Sequence, residues 1–178
     1  MKTIALEGLT EGLPTLTREY GAFLAQAGLY CLESAGHASG VQLEVQGSVQ
    51  AVYGLVWGGS ITPAVSLSWG DKDEATEYGA TGVAIILAIT ITPHRTVERA
   101  VKGGGFDYWL GDVEEGEVLP FQRKGRLEIS GIREGDKRDI DRRVQSKIKQ
   151  TQRSTDVGFP AYIIVVEFSH PIAAVAIT

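Results

Sequence analysis

The chain of 178 residues is 43% hydrophobic, contains one cysteine and carries a formal net charge of −5. A single cysteine excludes an intrachain disulfide framework and a Cys-rich zinc site, and the length suits one domain with one sizeable core. The opening "MKTIALEGLTEGLP" has acids where a signal peptide has its apolar region, and no apolar run reaches 18 residues uninterrupted. Neither export nor membrane crossing is therefore expected, and a reduced cytoplasmic setting is.

The first expected element is an amphipathic helix that starts with Pro14 in its first turn and stops near Gly36. It carries Leu16, Tyr20, Phe23, Leu24, Ala27, Tyr30 and Cys31 at helical spacing. Three short runs follow, "GVQLEVQG", "QAVYGLVWG" and "AVSLSWG", each bounded by glycine or proline and read as strands of a small antiparallel meander. Residues 1–70 thus form a helix-plus-meander extension within the same domain.

"DKDEATEYGATGVAIILAIT" opens with acids suited to a helix N-terminus and is apolar on nearly every face after Gly82, which predicts a buried helix. Glu77, Thr81, Ala84 and Ala88 fall on one line of it, so small side chains allow close approach to a sheet with Glu77 at one end. "RTVERAVKGGGFDYWLGD" reads as strand, glycine turn, strand, with Val97 and Val101 as apolar anchors, and "RLEISGI" is a third strand. A helix capped by Asp139 and the continuously apolar strand "PAYIIVVEFS" complete the chain. From residue 72 the order is helix, strand, strand, strand, helix, strand, an α/β chain of the mixed-sheet α+β kind.

Three acids occupy positions where a carboxylate needs a reason: Glu77 on the buried helix, Asp107 opening the second strand and Glu128 inside the third. An isolated ionised carboxylate in a sheet core is costly, so it is paired, solvated in a cleft or bound to a cation. Clustered carboxylates suit Mg²⁺ or Mn²⁺, which keep waters and take substrate phosphates as further ligands. Plain structural alternatives stand beside each: Asp107 bonding the glycine turn before it, Glu128 in a structural ion pair with Lys147, and Glu77 as an ordinary acid of a helix's first turns.

The element order, an acid opening the second strand and an acid 21 residues later in the third resemble the PD-(D/E)XK nuclease superfamily, the restriction-endonuclease-like fold, over about residues 72–168. That resemblance implies Asp107 and Glu128 as the two signature acids, Ile129 as the free position and Glu77 as an additional acid on the first core helix. Phe106 stands where the signature has proline, and Ser130 where it has the catalytic lysine. At about 100° per residue, Lys147 falls with the apolar stripe of Ile140, Val144, Ile148 and Thr151, so it points at the sheet and offers the missing ammonium. The implied site is catalytic Asp107, Glu128 and Lys147, with Mg²⁺ or Mn²⁺ held by Glu77, Asp107 and Glu128.

Charge is unevenly spread: residues 123–153 carry 11 Lys/Arg against 5 Asp/Glu, a local +6 on an acidic chain. Such a stretch is either a solvated helix face and loop or an electrostatic footprint for nucleic acid, with Arg123, Lys124, Arg126, Arg143, Lys149 and Gln150 as the expected contacts. The glycines of "KGGGFD" lack the Lys-Ser/Thr ending of a phosphate loop, and His37, His94 and His170 have no metal-ligand spacing. Two functions are expected from different classes. One is a Mg²⁺-dependent nuclease acting on DNA in restriction, repair or phage defence. The other is a catalytically silent nuclease-like subunit that binds nucleic acid or scaffolds a protein complex, the N-terminal region with Trp57 and Trp69 suiting a protein partner or a second copy.

Overall fold

The computed structural model describes residues 1–113 and 121–178. Among them, eight strands make one mixed sheet: β1 (Lys2–Ala5), β2 (Val41–Gly47), β3 (Ala51–Val56), β4 (Thr96–Arg99), β5 (Tyr108–Val113), β6 (Phe121–Ile132), β7 (Ala161–Glu167) and β8 (Ile172–Ile177). Their order is β1-β3-β2-β8-β7-β6-β5-β4. Four helices accompany them: α1 (Arg18–Ser34), α2 (Pro63–Ser68), α3 (Lys72–Ile91) and α4 (Lys137–Thr151).

Strands β4, β5 and β6 run antiparallel, and β6 then pairs with β7 in parallel through the crossover helix α4. The helix-strand-strand-strand-helix-strand order expected from residue 72 is present. The N-terminal meander is no separate layer, because β2 pairs in parallel with β8 and so extends the same sheet. Strands β1 and β8 were not expected: four residues of "KTIA" are too few to show a period, and "IAAVAI" is short and alanine-rich.

The continuous apolar run of β7 is explained by its two faces. Ile164 and Val166 join α1 and α3 in the larger core, while Ile163 and Val165 pack under Ile140 of α4 in the smaller one. Helix α3 lies between α1 and the sheet, and Gly79 and Gly82 let it approach: a Cβ on Gly82 would stand 2.9 Å from the Leu24 carbonyl oxygen of α1. Among the described residues α3 is the one helix whose length and hydropathy would allow it to cross a membrane, and most of it is buried inside the protein.

Four local expectations are corrected. Helix α1 begins at Arg18, where Thr17 caps the Tyr20 N–H, and Pro14 lies before it. "AVSLSWG" contributes to a short helix, α2, because Pro63 occupies its first turn and Thr62 Oγ1 accepts from the Val65 N–H. Helix α4 is capped by Asp136, and Asp139 is the reciprocal partner three residues on in a capping box. Val101 anchors nothing, being 86% exposed in the glycine turn between β4 and β5.

Candidate active site

Strand pairing brings the first two acids together. Tyr108 pairs with Leu127, and the Asp107 N–H donates to the Leu127 carbonyl at 2.9 Å, so Asp107 stands across from Glu128 on the same sheet face. Asp107 Oδ2 accepts from the Ile129 N–H at 2.9 Å. This bond fixes its carboxylate on β6, not on the glycine turn that precedes it. The residue is solvent-exposed while its neighbour is not.

The Glu128 side chain is 0% exposed. Its Oε1 accepts from Lys147 Nζ at 2.5 Å and from Gln150 Nε2 at 3.0 Å, and Lys147 also donates to Gln150 Oε1 at 3.2 Å. Helix α4 delivers both donors because Ile140 and Thr151 are buried against the sheet, and the apolar stripe between them carries Lys147 inward. The second oxygen, Oε2, is buried with no hydrogen-bond partner among the described residues. Burial, reinforced by the Asp107 charge, pushes the Glu128 carboxyl up to about 7, against the opposing pull of Lys147 and Gln150.

Around this pair the ends of β5 and β6 open into a cleft of about 700 Å³ between α3 and α4, whose walls include Glu77, Asp107, Ser130, Arg143 and Lys147. A second cavity of about 650 Å³ continues past the glycine turn and is lined by Lys102, Lys149, Gln150 and Arg153. Glu77, Arg99 and Asp107 border both, so the two form one channel. Glu77 is exposed on the α3 wall. Ser130, at the position of the expected lysine, accepts from Arg143 Nη1 at 2.7 Å, and Arg143 also reaches the Gly131 carbonyl.

The other expected nucleic-acid contacts are placed elsewhere. Arg123 forks onto Glu98 at 2.5 and 3.0 Å and lies 4.7 Å over the Trp109 ring, away from both cavities. Lys124 lines neither. Arg126 is a correction: it is 5% exposed, and its guanidinium donates to the Phe159 and Thr151 carbonyls and to Ser154 Oγ. A side chain on the α4 face of β6 has the end of that helix above it, so this arginine holds the helix terminus to the sheet.

Sequence reasoning missed Arg99 and Arg133. Arg99 ends β4, and its only sequence signal is a cation four residues ahead of the glycines at 103–105. Arg133 lines the first cavity, donates to Ser34 Oγ at 3.0 Å and keeps a buried Nη1 without an acceptor among the described residues.

Among the described residues no group of three or more His, Cys, Asp or Glu is gathered tightly enough to enclose a metal ion. Mg²⁺ does not require such an enclosure, since one or two carboxylates, waters and substrate phosphates complete its octahedron. The exposed carboxylate of Asp107 could serve as one such donor, and the orphaned Oε2 of Glu128 is an acceptor that a cation would satisfy. Comparison with protein-family models, curated proteins and solved structures finds no match for this chain.

Proposed function

We propose that this protein hydrolyses phosphodiester bonds in nucleic acid, DNA in the first place, with Mg²⁺ or Mn²⁺, on a restriction-endonuclease-like core spanning about residues 72–168. The observation that carries the reading is that Asp107, directly before β5, and Lys147 of α4 border one cleft, with the enclosed Glu128 of β6 paired to Lys147 behind its wall. A structural ion pair alone would explain Lys147 and Glu128, but not an exposed carboxylate held beside them or a buried carboxylate oxygen left without a donor.

Asp107 and Glu128 would hold the cation, with Glu77 on the facing wall within the same cleft. The ion supplies Lewis acidity toward water and the scissile phosphate. Lys147 takes the part of the lysine that Ser130 replaces: its ammonium, oriented by Glu128 and Gln150, holds the attacking water and stabilises charge gathering on phosphate oxygens. Water forms the new P–O bond, the bond to the departing ester oxygen breaks, and that oxygen leaves with a proton. Lys149, Gln150 and Arg153 offer phosphate contacts along the channel.

A second reading is a catalytically silent subunit of the same fold. It is favoured by the Lys147 ammonium being already engaged by Glu128 and by apolar side chains left exposed on the N-terminal side, Phe23 at 40%, packed on Trp69 and Tyr78, and Leu67 of α2 at 84%, whereas the expected Trp57 and Trp69 are themselves buried. That surface suits a protein partner or a second copy. Thermal melting with Mn²⁺, Mg²⁺ or EDTA, combined with cleavage of plasmid and single-stranded DNA, separates the two. The nuclease reading expects metal to raise Tm and support cleavage in the wild type, and Asp107→Ala to lose both effects. A wild type that neither responds to metal nor cleaves excludes it.

A further inference from the structure

Arg99 is the one residue of β4 that borders both cavities of the channel, together with Glu77 and Asp107. Its guanidinium is held by an unusual pair of neutral partners. Nη1 donates to Tyr20 Oη at 2.6 Å and to Tyr108 Oη at 3.2 Å, while the two hydroxyls lie 2.8 Å apart. Its carbon also sits 5.6 Å from the Tyr108 ring centroid. Three elements, α1, β4 and β5, therefore fix one corner of the fork, and Nε and Nη2 have no partner among the described residues.

The neighbouring arginines show what such a side chain does when its role is structural. Arg123 is neutralised by Glu98, and Arg126 is consumed by carbonyls. Among the described residues Arg99 has no carboxylate within ion-pair distance, although Asp73, Glu77, Asp107 and Glu134 border the same channel. A cation whose orientation is fixed by phenols and whose charge stays uncompensated is arranged for an anion that arrives from outside. A planar fork with two free N–H edges matches the oxygens of a phosphate.

We infer that Arg99 is a substrate-phosphate residue: it engages a backbone phosphate of the bound strand where the two cavities meet, and Tyr20 and Tyr108 position it. This rests on the channel binding nucleic acid, and it adds the residue that carries the strand past the carboxylates. The strand path then runs from Lys102, Lys149 and Arg153, past Arg99, toward Arg143.

The test is fluorescence anisotropy with labelled single-stranded and duplex oligonucleotides in EDTA across a salt series, on wild type, Arg99→Gln, Arg99→Lys and Tyr20→Phe. Arg99→Gln is expected to weaken binding about 5- to 20-fold at low salt and to lower the slope of log affinity against log salt by roughly 0.7 to 0.9, one phosphate's worth. Arg99→Lys keeps the slope and recovers part of the affinity, and Tyr20→Phe shows a smaller loss with the slope intact. Melting curves of each variant confirm an unchanged fold. An Arg99→Gln protein with wild-type affinity and slope overturns the inference, as does a wild type that binds no oligonucleotide. Wild-type binding with the Arg99 effect but no metal-dependent cleavage overturns the nuclease reading and leaves Arg99 assigned.

Discussion

The Lys147 ammonium lies 2.5 Å from Glu128 Oε1, linking the face of α4 to the middle of β6. Lys147 is 21% exposed and Glu128 fully enclosed, so the two partners depend on one another unequally. Lysine without glutamate still reaches water; glutamate without lysine is a buried anion with one remaining donor, Gln150. Lys147→Met is therefore expected to lower stability by about 2 kcal/mol or more at pH 8, and by much less at pH 5, where Glu128 is protonated. Its cleavage rate should fall at least about 100-fold. Denaturant melts at the two pH values, read beside the cleavage rate, check this: equal loss at both pH values contradicts the pairing described.

Glu128 itself titrates near 7 in the folded chain against 4.5 for an ordinary glutamate, chiefly because it is buried. The folded state thus binds the proton more tightly than the unfolded state. Its contribution to stability is complete below pH 4.5 and is lost as pH rises through 7. Glu128→Gln removes the ionisation while keeping the shape. At pH 8 in EDTA this variant should be more stable than the wild type by roughly 3 kcal/mol, at about 1.4 kcal/mol per pK unit, while showing no metal-induced rise in Tm. The advantage should shrink toward zero by pH 4.5. A wild type that stays the more stable protein at pH 8 would mean that the carboxylate is already well accommodated.

Arg126 provides the contrast to Arg99. Four donor contacts join its guanidinium to the Phe159 and Thr151 carbonyls and to Ser154, closing the end of α4 onto β6. Arg126→Met leaves those acceptors unsatisfied, and a loss of about 3 kcal/mol is expected by urea titration. The salt slope of oligonucleotide binding should not change. A lower slope with unchanged stability would place Arg126 among the phosphate contacts after all.

The path from sequence to site was legible where periodicity and chemistry agreed. Lys147 was recoverable because a lysine inside an apolar helical stripe has few destinations, and its reach to Glu128 follows from helix geometry. Asp107 and Glu128 were recoverable because consecutive strands that pair antiparallel bring such positions opposite one another. Charge alone misled. Arg123, Arg126 and Arg143 look alike along the chain, yet one forks onto a carboxylate, one is buried in carbonyls and one borders the cleft. Which partner an arginine takes depends on what the tertiary fold stacks over it. The same holds for the sheet's far half, because the parallel pairing of β2 with β8 joins residues more than a hundred positions apart.

The close approach of α3 to β6 shapes the cleft, and it depends on Gly131. The small-residue line expected through Ala84 and Ala88 is buried, but the tightest approach lies one position away, at Thr76 and Ala80. A Cβ on Gly131 would stand 2.5 Å from the Thr76 carbonyl oxygen, 2.8 Å from Thr76 Cγ2 and 3.0 Å from Ala80 Cβ. The first of these is backbone and has no rotamer to change, so Gly131→Ala must push the helix off the strand. A destabilisation of about 2–3 kcal/mol by urea titration follows from overpacking of this kind. Adding Ala80→Gly relieves only the methyl contact and should restore little. Because Glu77 and Thr81 border the cleft from the displaced helix, Gly131→Ala should also slow cleavage in conditions where the protein remains folded. A variant as stable as the wild type would show that α3 is held away from β6 by more than the distances between these atoms allow.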